Sequence, residues 1–335
     1  MNLLKQNLEL AVRLRDMKPW EFMFESDTFG VQMPVTGHKY FISIMGSDNV
    51  HRALSAYDGV EALHAFLEMR DEDTWMRAGD LLLIPQLMVS FEDEELLEPA
   101  EIEKYVGLGF QFSEEGSCPM FRKYIPGFMP VEPAEPDMEA LKIILEQSID
   151  VIERARNNPE VIYHDAMLDD EFMVRVQTEA SQGEWKDTVW ALEYPDKELK
   201  FDMPRTLPGK VAGLPKNNAV YQVDMALLNQ VIQGPGEPAR FGMLFLVADK
   251  KDGIMLDAQV LDTIYGIPAV YDQFPALLLN ALLKLKHQPA FIEIRHPLLL
   301  EMANRVLFPA KTKVRMANHL EIIDDFLESI GDMEM

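Results

Sequence analysis

Residues 241–330 alternate strand-like and helix-like apolar patterns, and few folds accommodate that order. Residues 241–248 and 254–261 are apolar, β-leaning runs. They are joined by Asp249-Lys250-Lys251-Asp252-Gly253, whose glycine supplies the positive φ that a hairpin loop needs. Pro275 suits a first helical turn, Leu277, Leu278, Ala281, Leu282 and Leu285 recur at helical spacing, and Lys284 and Lys286 complement a helix C-terminus. Gln288-Pro289 ends that helix, and residues 290–295 read as a strand. Pro297 opens a second helix bearing Leu299, Met302, Ala303 and Val306, which Phe308-Pro309 stops. Residues 312–317 alternate like a strand, and Asn318 with Glu321 begins a last helix carrying Leu320, Ile323, Leu327 and Ile330. The predicted C-terminal order is ββαβαβα, with residues 290–317 forming a right-handed parallel crossover.

Ahead of this unit, Leu4, Leu8, Ala11 and Leu14 give an amphipathic helix that Pro19 ends. Three strand-like runs, 28–35, 39–45 and 50–57, are separated by turn residues and predict an antiparallel meander. A helix follows to about residue 73, then an apolar run over 81–91 whose Pro85 argues for an edge position or a bend. Residues 92–103 hold seven acidic side chains and no basic one, the pattern of a solvated loop and the first turn of a helix begun near Pro99, with a cation or basic-partner site as the alternative. Prolines 126, 130, 133 and 136 mark an irregular connection to a helix over 138–156, and two strand-like runs flank Ser181-Gln182-Gly183.

The fold class expected is α+β or α/β, in two domains. Each is a mixed sheet, an antiparallel meander or hairpin plus a parallel β-α-β, with packed helices. The expected boundaries are an N-terminal domain over 1–156, a β-hairpin and Pro/Gly-rich linker over 157–218, and a C-terminal domain over 219–335. At 335 residues and 48% hydrophobic content the chain is able to fill two cores. The two halves have related element orders, which raises an ancient duplication.

Fifty-six acidic against 31 basic residues give a formal charge of −25, which repels phosphate backbones and anionic membrane surfaces. Nucleic acid is therefore an unfavoured partner. The single cysteine, Cys118, excludes a disulfide framework within the chain and a thiolate zinc site, and a reducing cytoplasm is the expected setting. No secretion signal is read in the first residues, and no run of about 18 apolar residues predicts a membrane span.

Several segments resemble a family of bacterial proteins made of two adjoining domains of unknown function. They include Tyr40-Phe41-Ile42-Ser43-Ile44-Met45-Gly46, Tyr57-Asp58-Gly59, Gly107-Leu108-Gly109-Phe110 and Met120-Phe121-Arg122-Lys123-Tyr124-Ile125-Pro126-Gly127-Phe128. In the C-terminal part they are Tyr221-Gln222-Val223-Asp224, the Asp249–Gly253 hairpin and Gln288-Pro289-Ala290-Phe291-Ile292-Glu293-Ile294. The family pattern favours glycine where Lys286-His287-Gln288 stands. The resemblance implies no activity, substrate or catalytic residue.

No Walker loop, GxGxxG, GxSxG or HExxH occurs, so neither a cofactor nor a catalytic residue is expected. Cys118 precedes Pro119 without a sequence-local histidine and reads as a core or loop thiol. His296 reads as a helix N-terminal boundary residue. Two functional readings follow. The first is a non-enzymatic cytoplasmic interaction or scaffold protein with a protein partner. The second starts from strand order: antiparallel strands followed by α-β-α-β-α is a ribonuclease H-like arrangement, and a metal-dependent phosphodiesterase or nuclease would then use Asp249, Asp257 and Glu293 as metal ligands. Turn chemistry explains Asp249 better than metal binding does, because Asp and Gly are the residues a hairpin loop selects.

Overall fold

Leu8, Ala11 and Leu14 bury one face of α1 (Leu3–Met17), as their spacing requires. The computed structural model describes every residue except 1, 49, 71–73, 75, 163–169, 178–182, 194–200 and 332–335. It divides into two units, each with a mixed sheet and packed helices. The first contains Met1–Leu67, Ile84–Ile125 and Pro130–Pro195; the second contains Glu68–Leu83, Pro126–Met129 and Asp196–Met335.

In the first unit the meander forms as β1 (Phe29–Gln32), β2 (Lys39–Met45) and β3 (Ala53–Asp58), followed by α2 (Gly59–Met69). The strand β4 (Gln86–Glu92) begins just after Pro85 and lies between β3 and β5 (Cys118–Tyr124), not at an edge. Proline outside the strand leaves its ladder intact, so of the edge or bend expected for this run the bend, at Ile84, is what the chain adopts, and the strand lies inside the sheet. The strand β5 lies just before the proline-marked connection of residues 126–136, where no strand is expected, and it is itself the edge strand that tolerates Pro119. After α3 (Pro99–Gly107) and α4 (Glu135–Ala155), the hairpin β6 (Glu171–Gln177) and β7 (Trp185–Ala191) extends the same sheet, β6 pairing parallel with β1. The order is β5-β4-β3-β2-β1-β6-β7. The helices α1 and α4 cover one face, with Leu141, Ile144, Leu145 and Ile152 fully buried.

In the second unit the short helix α5 (Leu207–Ala212) lies in the Pro/Gly-rich 204–218 stretch, with Val211 fully buried. From β9 (Arg240–Asp249) onward the order follows the expected ββαβαβα with one short helix added, α6: β10 (Ile254–Asp262), α6 (Ile267–Tyr271), α7 (Phe274–Leu285), β11 (Phe291–Ile294), α8 (Pro297–Leu307), β12 (Lys313–Met316) and α9 (Glu321–Gly331). A long strand, β8 (Val220–Ile232), precedes this set and takes the centre of the sheet, order β10-β9-β8-β11-β12. Every residue of β9 is buried because both faces are covered. Met243, Phe245 and Val247 face the core formed with α5–α8, while Leu244, Leu246 and Ala248 face α9. The two strand orders differ: a five-stranded meander with an antiparallel outer hairpin in the first unit, and a three-stranded meander with two parallel strands in the second. That removes the duplication.

Candidate functional site

An open groove in the first unit is built where β4 ends. Glu94–Leu96 forms a 3-10 turn, Pro99 starts α3, and the Glu101 carboxylate accepts from the Glu98 amide at 3.3 Å. The loop after α3 returns beside β4, where the Gly116 amide donates to Asp93 Oδ1 at 2.7 Å with Gly116 at φ +62°. These two segments form the walls. The cavity has a volume of about 920 Å³. Leu97, Ile102 and Phe112 make its apolar floor, and Asp93, Glu94, Glu95, Glu103, Glu114 and Glu115 its rim; no basic side chain lines it. A second lobe of about 260 Å³ shares Glu94, Ile102, Phe112 and Ser113, and adds Tyr105, Val106 and Phe110.

The floor is held from below. Tyr105 packs edge-on to Phe112 and donates its hydroxyl to the Pro119 carbonyl at 3.0 Å. Arg122 grips Glu101 through two hydrogen bonds of 2.8 Å each. Burial pushes the Glu101 carboxyl up, but those bonds and the guanidinium charge bring it below the ordinary carboxylate range. Burial, with Glu94 and Glu101 adding to it, pushes the nearby Cys118 thiol up to about 12, which makes it an inert core thiol.

A second cluster lies inside the second unit, on the face of the sheet that α9 covers. Gln222 and Glu293 are register partners on β8 and β11, and both point toward α9 from strands whose alternate residues are apolar. One step along, Asp224 is 1% exposed and Arg295 is 6% exposed. Arg77, carried in by the Glu68–Leu83 segment, donates to the Asp224 carboxylate and lies 3.7 Å from Asp324 on α9. Arg295 donates to Asp324, and its Nε lies 3.9 Å from Asp224. The Arg77 amide donates to Asp80 at 2.8 Å. Burial raises the Asp80 carboxyl above its ordinary range despite the Arg77 amide and charge beside it. His296 caps α8 by accepting from the Leu298 amide at 3.1 Å, and Tyr271 packs edge-on against its ring. Burial first, then the Arg77 charge, lowers the His296 pKa to about 4. Two guanidinium groups packed among these carboxylates make a lock rather than a reactive site.

The three carboxylates that strand order suggested as metal ligands have separate partners. Asp249 closes its hairpin by accepting from the Lys251 amide at 2.9 Å and the Asp252 amide at 3.2 Å. Asp257 accepts from Lys284 at 2.9 Å and Gln259 at 3.1 Å. Glu293, 3% exposed, is held by Lys250 and Arg315. Burial works upward on its carboxyl, and hydrogen bonds from Arg315, Lys250 and Gln222 hold it below the ordinary range. Among the described residues, no group of three or more His, Cys, Asp or Glu side chains is placed to hold a metal ion. None of their helices is long and apolar enough to cross a membrane.

Residues 5–175, more than half of the chain, match the family model of DUF7309, a domain of unknown function. The chain belongs to the DUF7309 family. A second model, that of DUF6930, also a domain of unknown function, matches residues 209–331. No curated protein and no solved structure matches the chain. The groove lies wholly within the DUF7309 region. Arg77 belongs to that region and Asp224 to the DUF6930 region, so their ion pair joins both matched regions inside one structural unit.

Sequence reading saw the charges of residues 92–103 but not their concavity, because the second wall comes from Phe112–Glu115, beyond α3. It gave Asp224 no role beyond its place in the Tyr221–Asp224 segment that carries the resemblance. The available signal was period-2 alternation in Tyr221-Gln222-Val223-Asp224-Met225 and Phe291-Ile292-Glu293-Ile294-Arg295, polar residues spaced to share a face in two strands otherwise apolar.

Proposed function

We propose that this protein is a non-enzymatic interaction or scaffold module whose groove captures a basic, amphipathic segment of a partner protein. The observation that carries this reading is the groove itself, an apolar floor inside a rim of six carboxylates with no cation among the lining residues. Like charges crowded on low-dielectric walls focus a negative potential, so ammonium or guanidinium groups are drawn to the rim. The floor then rewards apolar side chains placed between them. The same rim repels nucleic-acid backbones and anionic lipid surfaces. The net charge and the buried thiol support a cytoplasmic setting for such a partner.

Fluorescence anisotropy on the full chain tests this with a labelled peptide of about 12 residues alternating lysines with leucine and phenylalanine. The control is its glutamate counterpart. Micromolar binding of the lysine peptide is expected, weakening about tenfold between about 50 and 500 mM salt as the charges are screened. Charge reversal by E94K/E95K should weaken it by a similar factor. Equal binding of the glutamate peptide, or no response to the reversal, would sink the reading.

A further inference from the structure

In a chain of formal charge −25, three stretches without a carboxylate, residues 203–218, 273–290 and 302–320, come together at the amino ends of β11 and β12. Gln288 ties them. Its Nε2 donates to the carbonyls of Val211 at 2.8 Å, Ala212 at 3.2 Å and Leu214 at 2.9 Å, and its Oε1 accepts from Thr312 at 3.2 Å. Lys216 adds a bond of 3.4 Å to the Lys311 carbonyl.

Lys210, Lys216, Lys286, Lys311 and Lys313, which these stretches carry, are all exposed. Lys286 and Lys311 sit at C-caps in the left-handed region, at φ 63° and 54°, where a cation complements the preceding helix end. Capping does not explain Phe308. It stands 82% exposed on the turn Phe308–Ala310, which packs on α5, and Pro309 beside it is exposed too. The three stretches thus present one exposed apolar knob and five exposed lysines.

That surface is the negative of the groove in the first unit, where an apolar floor lies inside a carboxylate rim. We infer that a second copy of this chain is a partner: the Phe308 knob and lysines of one copy dock head to tail in the groove of another. The inference rests on the reading of the groove given above and names one occupant for it. A heterologous contact of this kind leaves a free knob and a free groove at the ends of every pair, so it builds open chains or rings. One knob in one groove is a small interface, and a Kd of about 10–100 μM is expected.

Sedimentation velocity of the full chain over about 5–500 μM, spanning that Kd, tests it. At about 50 mM salt the mass should rise with concentration, and at about 500 mM it should return to the monomer. Phe308→Ser, a change at an exposed position, should abolish association with an unchanged circular dichroism spectrum, and so should K311E/K313E. The groove variant E94K/E95K should also be monomeric. Mixing Phe308→Ser with E94K/E95K restores one junction and should give a dimer and nothing larger. A wild-type chain monomeric throughout, or a Phe308→Ser chain that assembles like wild type, overturns the inference. If the wild-type chain captures the lysine peptide yet stays monomeric, self-association fails and the groove reading stands; if it does neither, both fail.

Discussion

Replacing Arg77 by methionine is expected to lower the free energy of unfolding by about 3 kcal/mol in urea titrations. Asp224, 1% exposed, would lose the guanidinium that meets its Oδ2 and, among the described residues, keep the Met225 amide at 2.9 Å and Arg295 at 3.9 Å. Stripping one partner from a buried pair costs about 3–5 kcal/mol, and the lower end applies because Arg295 remains. Adding Asp224→Asn to Arg77→Met should recover part of the loss, since the amide removes the uncompensated charge. A single-variant loss under about 1 kcal/mol, the worth of an exposed pair, would mean that Arg77 does not lock Asp224 in place.

Acid should weaken the second unit before general carboxylate protonation does. His296 has a folded pKa of about 4 against an ordinary value of 6.5. Between these values the unfolded chain binds a proton that the folded chain excludes, so stability is fully present above pH 6.5 and is lost as pH falls toward 4. A gap of that size corresponds to about 3 kcal/mol. The neighbouring charges are Arg77, Arg295, Asp224, Asp324 and Asp80. Asp80 acts in the opposite direction, because its raised carboxyl pKa favours protonation in the folded state at the low end of the window. The variant His296→Asn separates the two: asparagine keeps an N-cap acceptor for the Leu298 amide and does not titrate. Its stability should be nearly flat between pH 6.5 and 4.5, whereas wild type declines. Parallel curves for the two proteins would refute the assignment to His296.

Local patterns were legible in the sequence and non-local ones were not. The helices α1, α4, α7, α8 and α9 announce themselves through apolar residues three and four apart, and the β9–β10 hairpin through Asp249 and Gly253, because the forces that form them act within one turn or one loop. The strand β5 was hidden by Pro119, and α5 by Pro208, Gly209 and Gly213 around Val211, although tertiary burial overrides those weak propensities. The resemblance leads to an expectation of glycine near residues 286–288, and Lys286 there adopts the left-handed conformation that glycine reaches without strain. The charge lock was illegible for a different reason. Nothing in the residues around Arg77 indicates that a carboxylate 147 positions away completes it.

That separation bears on how the chain is made. Glu68–Leu83 and Pro126–Met129 belong to the second unit but leave the ribosome before most of it exists. At about 5–20 residues per second, Arg77 waits about 7–30 s after its own synthesis before Asp224 is added. The first unit's strands are complete by Ala191, so that sheet can close while the two early segments remain without their host. The second unit is assembled out of sequential order, and a nascent chain paused between residues 191 and 224 would carry an arginine whose buried partner Asp224 has yet to be translated.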